Sequence, residues 1–138
     1  MAKPTTLVRS RELAKTRSGT QLALTPRRAG WDYVGFAARQ IASGQVWKGR
    51  TGGDEVCLVL LSGHASIRWF AKDAWGDAQT RNVTLGPRHD VFSDYPHAVY
   101  LPPRTAFELR AKRYTEIGDC RSPTAKQFPP RLIRPADC

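Results

Sequence analysis

A chain of 138 residues, 41% of them hydrophobic, has the size and composition of one domain with its own core, and no run approaches the roughly 18 apolar residues that cross a membrane. The formal net charge of +10 raises nucleic-acid binding as a function, but the basic residues are scattered and no nucleic-acid motif is present, so we disfavour it. The N-terminus has no apolar signal segment, and the three cysteines, Cys57, Cys120 and Cys138, lack C-x-x-C spacing, which indicates a cytoplasmic protein.

The predicted secondary structure is almost entirely strand. The polar segment RSRELAKTR at 9–17 is the one helical candidate, and it is short enough to be marginal alone. After it, Gly and Pro interrupt the chain about every eight to twelve residues, which is typical of a β-sandwich or barrel. The predicted strands are 19–25, 31–41, 55–61, 64–70, 78–85, 98–101 and 106–114.

The segment EVCLVLL at 55–61 is apolar at nearly every position. Its seven residues suit a strand better than a helix, and a strand that is apolar on both faces belongs in the middle of a barrel or sandwich. Cys57 packs there as a small apolar side chain. We expect Ser62-Gly63 to make a tight turn into the next strand, and Gly52-Gly53 to form a hairpin turn rather than a phosphate-binding loop.

The composition changes near the C-terminus, where prolines occur without periodicity. The sequence therefore predicts an N-terminal tail at 1–18, a barrel at 19–118 and a Pro-rich linker at 119–138.

The strand order and turns resemble those of cupins, which are small β-barrels (double-stranded β-helix or jelly roll) that usually bind a metal. The segments GWDYVGF (30–36), EVCLVLLSGHAS (55–66) and AVYLPP (98–103) resemble the N-terminal half of a two-cupin isomerase family. That family includes the bacterial 5-deoxy-glucuronate isomerase of myo-inositol catabolism and the related 4-deoxy-5-ketouronate isomerases. The resemblance extends over residues 20 to 135 or so.

This chain departs from the cupin pattern at every expected ligand position. The histidine pair of the first cupin motif falls near 46–49, which reads Val-Trp-Lys-Gly, and the glutamate falls at Val56. Glu55 is one residue away, and such a shift turns a strand side chain to the opposite face. In the second motif Arg104 takes the place of the glycine and Phe107 that of the histidine. We expect a metal-free barrel without cofactor, with the divalent metal and the catalytic residues in a C-terminal cupin that this sequence does not contain.

Other residues offer alternative sites, each with a simpler structural explanation. His64, His89 and His97 would bind a metal if they converged, but surface or hydrogen-bonded histidines are commoner. Carboxylate pairs can act in acid–base catalysis but are commoner as turn residues. Aromatic side chains can line a sugar pocket but more often fill a core. Arginines can hold a substrate carboxylate but are mostly solvated. The residues in question are Asp73 with Asp77, Asp90 with Asp94, Trp47, Trp69, Trp75, Tyr100, Arg68 and Arg104.

The resemblance implies that the chain is the N-terminal half of an aldose–ketose isomerase that converts 5-deoxy-glucuronate to 5-dehydro-2-deoxy-gluconate. In that case it serves as a scaffold for the catalytic C-terminal cupin half and is inactive alone. The alternative is a free-standing metal-free cupin that binds a sugar or a protein without catalysis. The sequence leaves open whether the chain forms a homo-oligomer.

Overall fold

The computed structural model describes residues 20–30, 32–72 and 78–138. Apart from one short helix and a terminal 3-10 turn at Pro135–Asp137, its regular elements are strands. In chain order they are β1 (Thr20–Leu24), α1 (Pro26–Ala29), β2 (Gly35–Ile41), β3 (Val46–Arg50), β4 (Asp54–Lys72), β5 (Ala78–Arg88), β6 (Ala98–Leu101), β7 (Ala106–Ala111), β8 (Thr115–Pro123) and β9 (Arg131–Ile133).

The strands form two antiparallel sheets that share β4. The first sheet has the order β1-β2-β8-β4-β6-β9, and in the second β3 pairs with β7, which pairs with β4, which pairs with β5. The first half of β4 pairs with β8 and β6, and its second half pairs with β7 and β5. This is the all-β, cupin-like barrel that the sequence predicted.

Strand β4 runs for 19 residues through the expected turn at Ser62-Gly63, so that prediction was wrong. Gly63 has a φ of 104° and lies where the pairing registers of β4 slip. A Cβ on Gly63 would lie 2.6 Å from the Cα of Thr115, so only glycine fits this backbone approach. The glycine marks a bulge that bends β4 from one sheet into the other, and a bulge has the same sequence signature as a turn.

The core lies between the inward faces of the two sheets. Val56, Leu58 and Leu60 of β4 are at most 1% exposed, whereas the outward-facing Val59 and Leu61 are only half-buried. The prediction of a strand here is therefore confirmed, but the expectation that both of its apolar faces are covered is wrong, because the described residues fully cover only the inner face. The buried cluster comprises Ile41, Val56, Leu58, Leu60, Ala65, Ile67, Trp69, Ala71, Leu85, Val99, Leu101, Phe107, Leu109, Ala111 and Ile117.

Several strands lie outside the predicted ranges. The sequence analysis missed β3 and β9, and the second half of β8 together with β9 falls within the tract 119–138 that it assigned to a linker. Strand β8 pairs with both β2 and β4, and β9 pairs with β6. The residues around Gly52-Gly53 form a turn, but β3 does not pair with β4, so the turn passes between sheets and is not a hairpin.

Three further observations bear on the sequence predictions. Strand β5 continues past Gly86-Pro87 to Arg88. The helix predicted at 9–17 lies outside the described residues. Within the described residues, no helix has the length and apolar character needed to cross a membrane.

Candidate functional site

The positions that the sequence analysis assigned to the metal ligands of a cupin hold apolar side chains in this barrel. Val56 and Phe107 are each 1% exposed and belong to the buried cluster. Neither side chain has a lone pair for a cation, so the residues present do not fit a divalent metal. Glu55 lies on the opposite side of β4 from Val56, where its carboxylate accepts a hydrogen bond of 3.0 Å from the Tyr100 hydroxyl.

The place of the expected histidine pair is taken by an aromatic contact. The rings of Trp47 and Phe107 pack edge to face with centroids 5.0 Å apart. Phe107 lies against Gly49, its partner in the register of β3 and β7, where a Cβ would overlap the Phe107 ring. Lys48, between Trp47 and Gly49, points out of the barrel and lies 3.8 Å from Glu108.

The three histidines have separate environments. His64 lies on β4, His89 is exposed with Nε2 3.8 Å from Asp90, and His97 Nδ1 accepts a hydrogen bond of 3.2 Å from the Gly86 amide. Burial lowers the pKa of His97, and burial together with Lys112 and Arg113 lowers the pKa of His64. Among residues 20–30, 32–72 and 78–138, no three His, Cys, Asp or Glu side chains form a group that could hold a metal ion.

A buried ionic cluster lies in the barrel at residues that the sequence analysis did not select. Asp119 pairs in register with Leu58 on one side and Ala37 on the other, so its side chain shares the inward face of the first sheet. The carboxylate is 1% exposed and accepts hydrogen bonds from Arg39 Nε at 3.2 Å and Arg121 Nε at 2.9 Å.

Both guanidinium groups make further contacts. Arg39 stacks over the Trp47 ring at 4.2 Å from its centroid, and Arg121 donates a hydrogen bond of 2.7 Å to the Arg50 carbonyl. The cluster therefore joins β2 and β8 of the first sheet to β3 of the second.

A cleft of about 330 Å³ opens onto this cluster. Its walls come from β1, α1, β2, β8 and the start of β4, and its polar lining includes Arg39, Asp54, Asp119 and Arg121. Tyr33 lies at the cleft and is 67% exposed. Because both Asp119 oxygens already accept guanidinium hydrogen bonds, this carboxylate is poorly placed to take a proton from a sugar carbon.

The remaining candidates from the sequence do not converge on this cleft. Trp69 is part of the core, and Tyr100 bonds to Glu55 on the outer side of the first sheet. Arg68 forms an ion pair of 2.8 Å with Glu108 on the outer face of the second sheet. Arg104, whose φ is 61°, donates a side-chain hydrogen bond to Gln127.

Of the two candidate carboxylate pairs, Asp90 and Asp94 are described, and both take part in local hydrogen bonds. Asp90 caps the turn that follows it by accepting hydrogen bonds from the Phe92 and Ser93 amides, and the backbone carbonyl of Asp94 accepts from Arg88. The alternatives Asp73, Asp77 and Trp75 lie outside the described residues.

Comparison with known proteins places the chain in a family. The model of the KduI/IolB family matches residues 6–138. A 5-deoxy-glucuronate isomerase of Geobacillus thermodenitrificans is 35% identical over 120 residues, which are 86% of this chain and 41% of that protein. The Bacillus subtilis (strain 168) 5-deoxy-glucuronate isomerase is 27% identical over 134 residues, covering 95% of this chain and 46% of the relative.

Solved structures agree with these matches. An IolB-like protein from Salmonella typhimurium LT2 superposes with a TM-score of 0.75 at 30% identity, over 88% of this chain and 44% of that one. An oxalate decarboxylase of Lactobacillus farciminis, at 10% identity over 76% of this chain and 28% of its own, reaches a TM-score of 0.55 and shares the fold alone. The chain thus spans less than half the length of these relatives, and since the family model covers nearly all of its residues, it belongs to the KduI/IolB family.

Proposed function

We propose that this chain is the N-terminal, metal-free cupin half of a 5-deoxy-glucuronate isomerase, an aldose–ketose isomerase of myo-inositol catabolism. The complete enzyme converts 5-deoxy-glucuronate to 5-dehydro-2-deoxy-gluconate by moving a proton between adjacent carbons. The present half is the scaffold of the C-terminal cupin half, which carries the divalent metal and the catalytic residues.

The observation that carries this proposal is the 35% identity to a 5-deoxy-glucuronate isomerase over 41% of that relative's length. A match confined to one part of a protein more than twice as long is what a single cupin of a two-cupin enzyme would give. The relatives named for this activity come from several organisms, and they include proteins that match 95% of this chain at 25% to 27% identity.

The chemistry of the described residues supports a scaffold role. An isomerase needs a base that can take a proton from carbon and a group that polarises the neighbouring carbonyl. The buried carboxylate of Asp119 is held by Arg39 and Arg121, and the cupin ligand positions hold Val56 and Phe107. These side chains build a stable barrel, and the proton transfer is assigned to the other half.

The experiment is reconstitution of activity. We expect no turnover of 5-deoxy-glucuronate by this protein alone. We expect turnover when it is co-produced with the C-terminal part of the Geobacillus thermodenitrificans isomerase, and little from that C-terminal part by itself. Turnover by the isolated protein at an ordinary enzymatic rate, or full turnover by the C-terminal part without it, would contradict the scaffold proposal.

A further inference from the structure

Two of the three cysteines lie directly opposite each other on neighbouring strands of the first sheet. Cys57 is on β4 and Cys120 is on β8, and the register of this antiparallel pair sets one against the other. The register has no shift between Asp54 and Leu60. Opposed residues of an antiparallel pair have Cα atoms about 4.5–5.5 Å apart, within the range of about 4.4–6.8 Å that a disulfide spans. The backbone therefore already holds the two residues at a separation that a disulfide can bridge.

Both thiols point to the outer face of the sheet. Val56 and Leu58, on either side of Cys57, belong to the buried cluster, and the carboxylate of Asp119, next to Cys120, is 1% exposed inside the barrel. Since successive side chains of a strand alternate between faces, the two cysteines share the opposite face. The Cβ atoms of opposed residues lie about 4.5–5.5 Å apart, against about 3.5–4.5 Å in a disulfide, so closing the bond needs a shift of about 1 Å.

The thiol pair is partly open to solvent. Cys57 and Cys120 are both half-buried and free in this structure. Phe36 of β2 lies opposite Cys120, and Tyr100 of β6 lies opposite Cys57, so aromatic residues flank the pair on both sides. A small reagent can reach a sulfur atom from outside, and the nearest thiol to the one that reacts is then its partner across the ladder.

The environment of the pair sets how fast it can react. Burial raises the pKa of both thiols, and the neighbouring Cys120 adds to the effect at Cys57 as Asp119 does at Cys120. The thiolate is the form that attacks a disulfide, so exchange at neutral pH is slow. Such a pair responds to sustained oxidation and not to a brief pulse.

We propose that Cys57 and Cys120 form a reversible intramolecular disulfide when the protein meets a small-molecule disulfide such as oxidised glutathione. One protein thiolate attacks a sulfur of the reagent, which breaks the reagent's S–S bond, releases one reduced molecule and leaves a mixed disulfide. The second protein thiolate attacks the protein sulfur of that mixed disulfide and releases the second reduced molecule. Two electrons pass from the cysteine pair to the reagent, and the two protons of the protein thiols end on the two released thiols.

The bond would join the two most central strands of the first sheet. Residues 58–119 would lie inside the closed loop, and a loop of this length strongly restricts the unfolded chain. Because the pair is already in register, the folded barrel needs little rearrangement to accept the bond. The modification therefore stabilises the barrel, and it is independent of the proposed isomerase role.

The test uses a Cys138→Ser variant, which leaves Cys57 and Cys120 as the only cysteines of the chain. The variant is incubated with excess oxidised glutathione at mildly alkaline pH and analysed by intact-mass spectrometry. We expect the loss of two hydrogen atoms with no retained glutathione, and proteolytic peptides that contain Cys57 and Cys120 should stay joined until reduction. The melting temperature should rise by about 5 °C or more and return to its initial value on reduction.

The matched control moves one thiol along β4 to the next outward position. Val59 lies opposite Gly118, so Cys57→Ala combined with Val59→Cys places the new sulfur diagonally from Cys120. Diagonal neighbours are about 7–8 Å apart, which is beyond the Cα separation of a disulfide. In the Cys138→Ser background this control has the same number of thiols, and it should retain glutathione as mixed disulfides.

Four outcomes for the Cys138→Ser variant would overturn the proposal. They are glutathione retained on both cysteines, disulfide-linked dimers, a bond that lowers the melting temperature, and thiols that stay reduced in the folded protein but react in urea. An intramolecular bond that forms equally fast in the Val59→Cys control would also overturn it, because the reaction would then not depend on the register of β4 and β8.

Discussion

Trp47 and Phe107 meet in the barrel with their ring planes at 86° and their centroids 5.0 Å apart. They come from β3 and β7, at or near the positions that the sequence analysis assigned to histidines of the first and second cupin motifs. Edge-to-face aromatic pairs contribute about 0.5–1.5 kcal/mol beyond the area they bury. Gly49 makes this contact possible by leaving room for the Phe107 ring.

Replacing Gly49 by Ala should therefore destabilise the protein even though alanine is an ordinary strand residue. The new Cβ would overlap three atoms of the Phe107 ring, and overpacking of this kind costs about 1–3 kcal/mol. The free energy of unfolding is measured by urea denaturation. Gly53→Ala is the control, because no atom lies within 4 Å of a Cβ there, and it should stay within about 0.5 kcal/mol of the parent.

A double substitution tests whether Phe107 is the cause. Phe107→Leu removes the outer ring atoms and is destabilising in its own right because the residue is 1% exposed. In the double variant Gly49→Ala/Phe107→Leu, the loss of unfolding free energy should be smaller than the sum of the two single losses, because the added methyl group then has space. Strictly additive losses would mean that Gly49 is required for another reason.

The strands that the sequence predicted well are those with apolar alternation between turn residues, such as β6 at Ala98–Leu101 and β7 at Ala106–Ala111. The misses have physical causes. Strand β8 reads TEIGDCRSP, which carries Gly, Asp and Pro, and it forms because it is paired on both sides, by β2 and β4. Pairing on both sides outweighs the weak strand propensity of such residues.

The ionic cluster could not be found from local sequence. Arg39 and Asp119 are 80 residues apart and meet only because β2 and β8 are neighbours. An aspartate, an arginine and a glycine in a polar stretch predict a turn or linker. The pattern D-x-R at 119–121 places both side chains on one face of a strand, but it is informative only once the strand is known.

Asp119→Ala should be among the most destabilising substitutions of a charged residue in this protein. It would leave Arg39 and Arg121 in the barrel without their carboxylate, and removing one partner of a buried ion pair costs about 3–5 kcal/mol. Glu108→Ala is the matched control, because Glu108 pairs with Arg68 and Lys48 on the outer face. Exposed pairs contribute at most about 1 kcal/mol. Equal losses for the two variants in urea denaturation would show that Asp119 is not held as described.

The raised pKa of Tyr100 predicts a loss of stability at alkaline pH. Burial, followed by the hydrogen bond to Glu55, raises the pKa of Tyr100 to about 12 from a usual value of 10.0. The folded protein thus holds this proton more tightly than the unfolded chain. The resulting stabilisation is complete below pH 10 and disappears as the pH rises through 12.

The measurement compares the parent protein with Tyr100→Phe. Between about pH 10 and 12 the free energy of unfolding should fall more steeply for the parent than for the variant, because only the parent loses this proton. Phenolate absorbance should show a larger late titration in the parent than in the variant. Burial also raises the pKa of Tyr114, so the variant retains a smaller decline in the same direction. Parallel curves for the two proteins would argue against the Tyr100–Glu55 bond.

The purified protein should contain no stoichiometric transition metal, and a chelator should leave its melting temperature unchanged. Val56 and Phe107 offer no donor atoms at the cupin ligand positions, and the guanidinium groups of Arg39 and Arg121 place positive charge inside the barrel, where it repels a divalent cation. Metal bound to a folded protein adds its binding free energy to stability, so a metal-dependent barrel would melt earlier in EDTA. About one equivalent of Mn, Fe or Zn by elemental analysis, together with a lower melting temperature in EDTA, would require a ligand set other than the cupin positions. The residues outside the described ranges, which include Asp73 and Asp77, would be the first to substitute in that case.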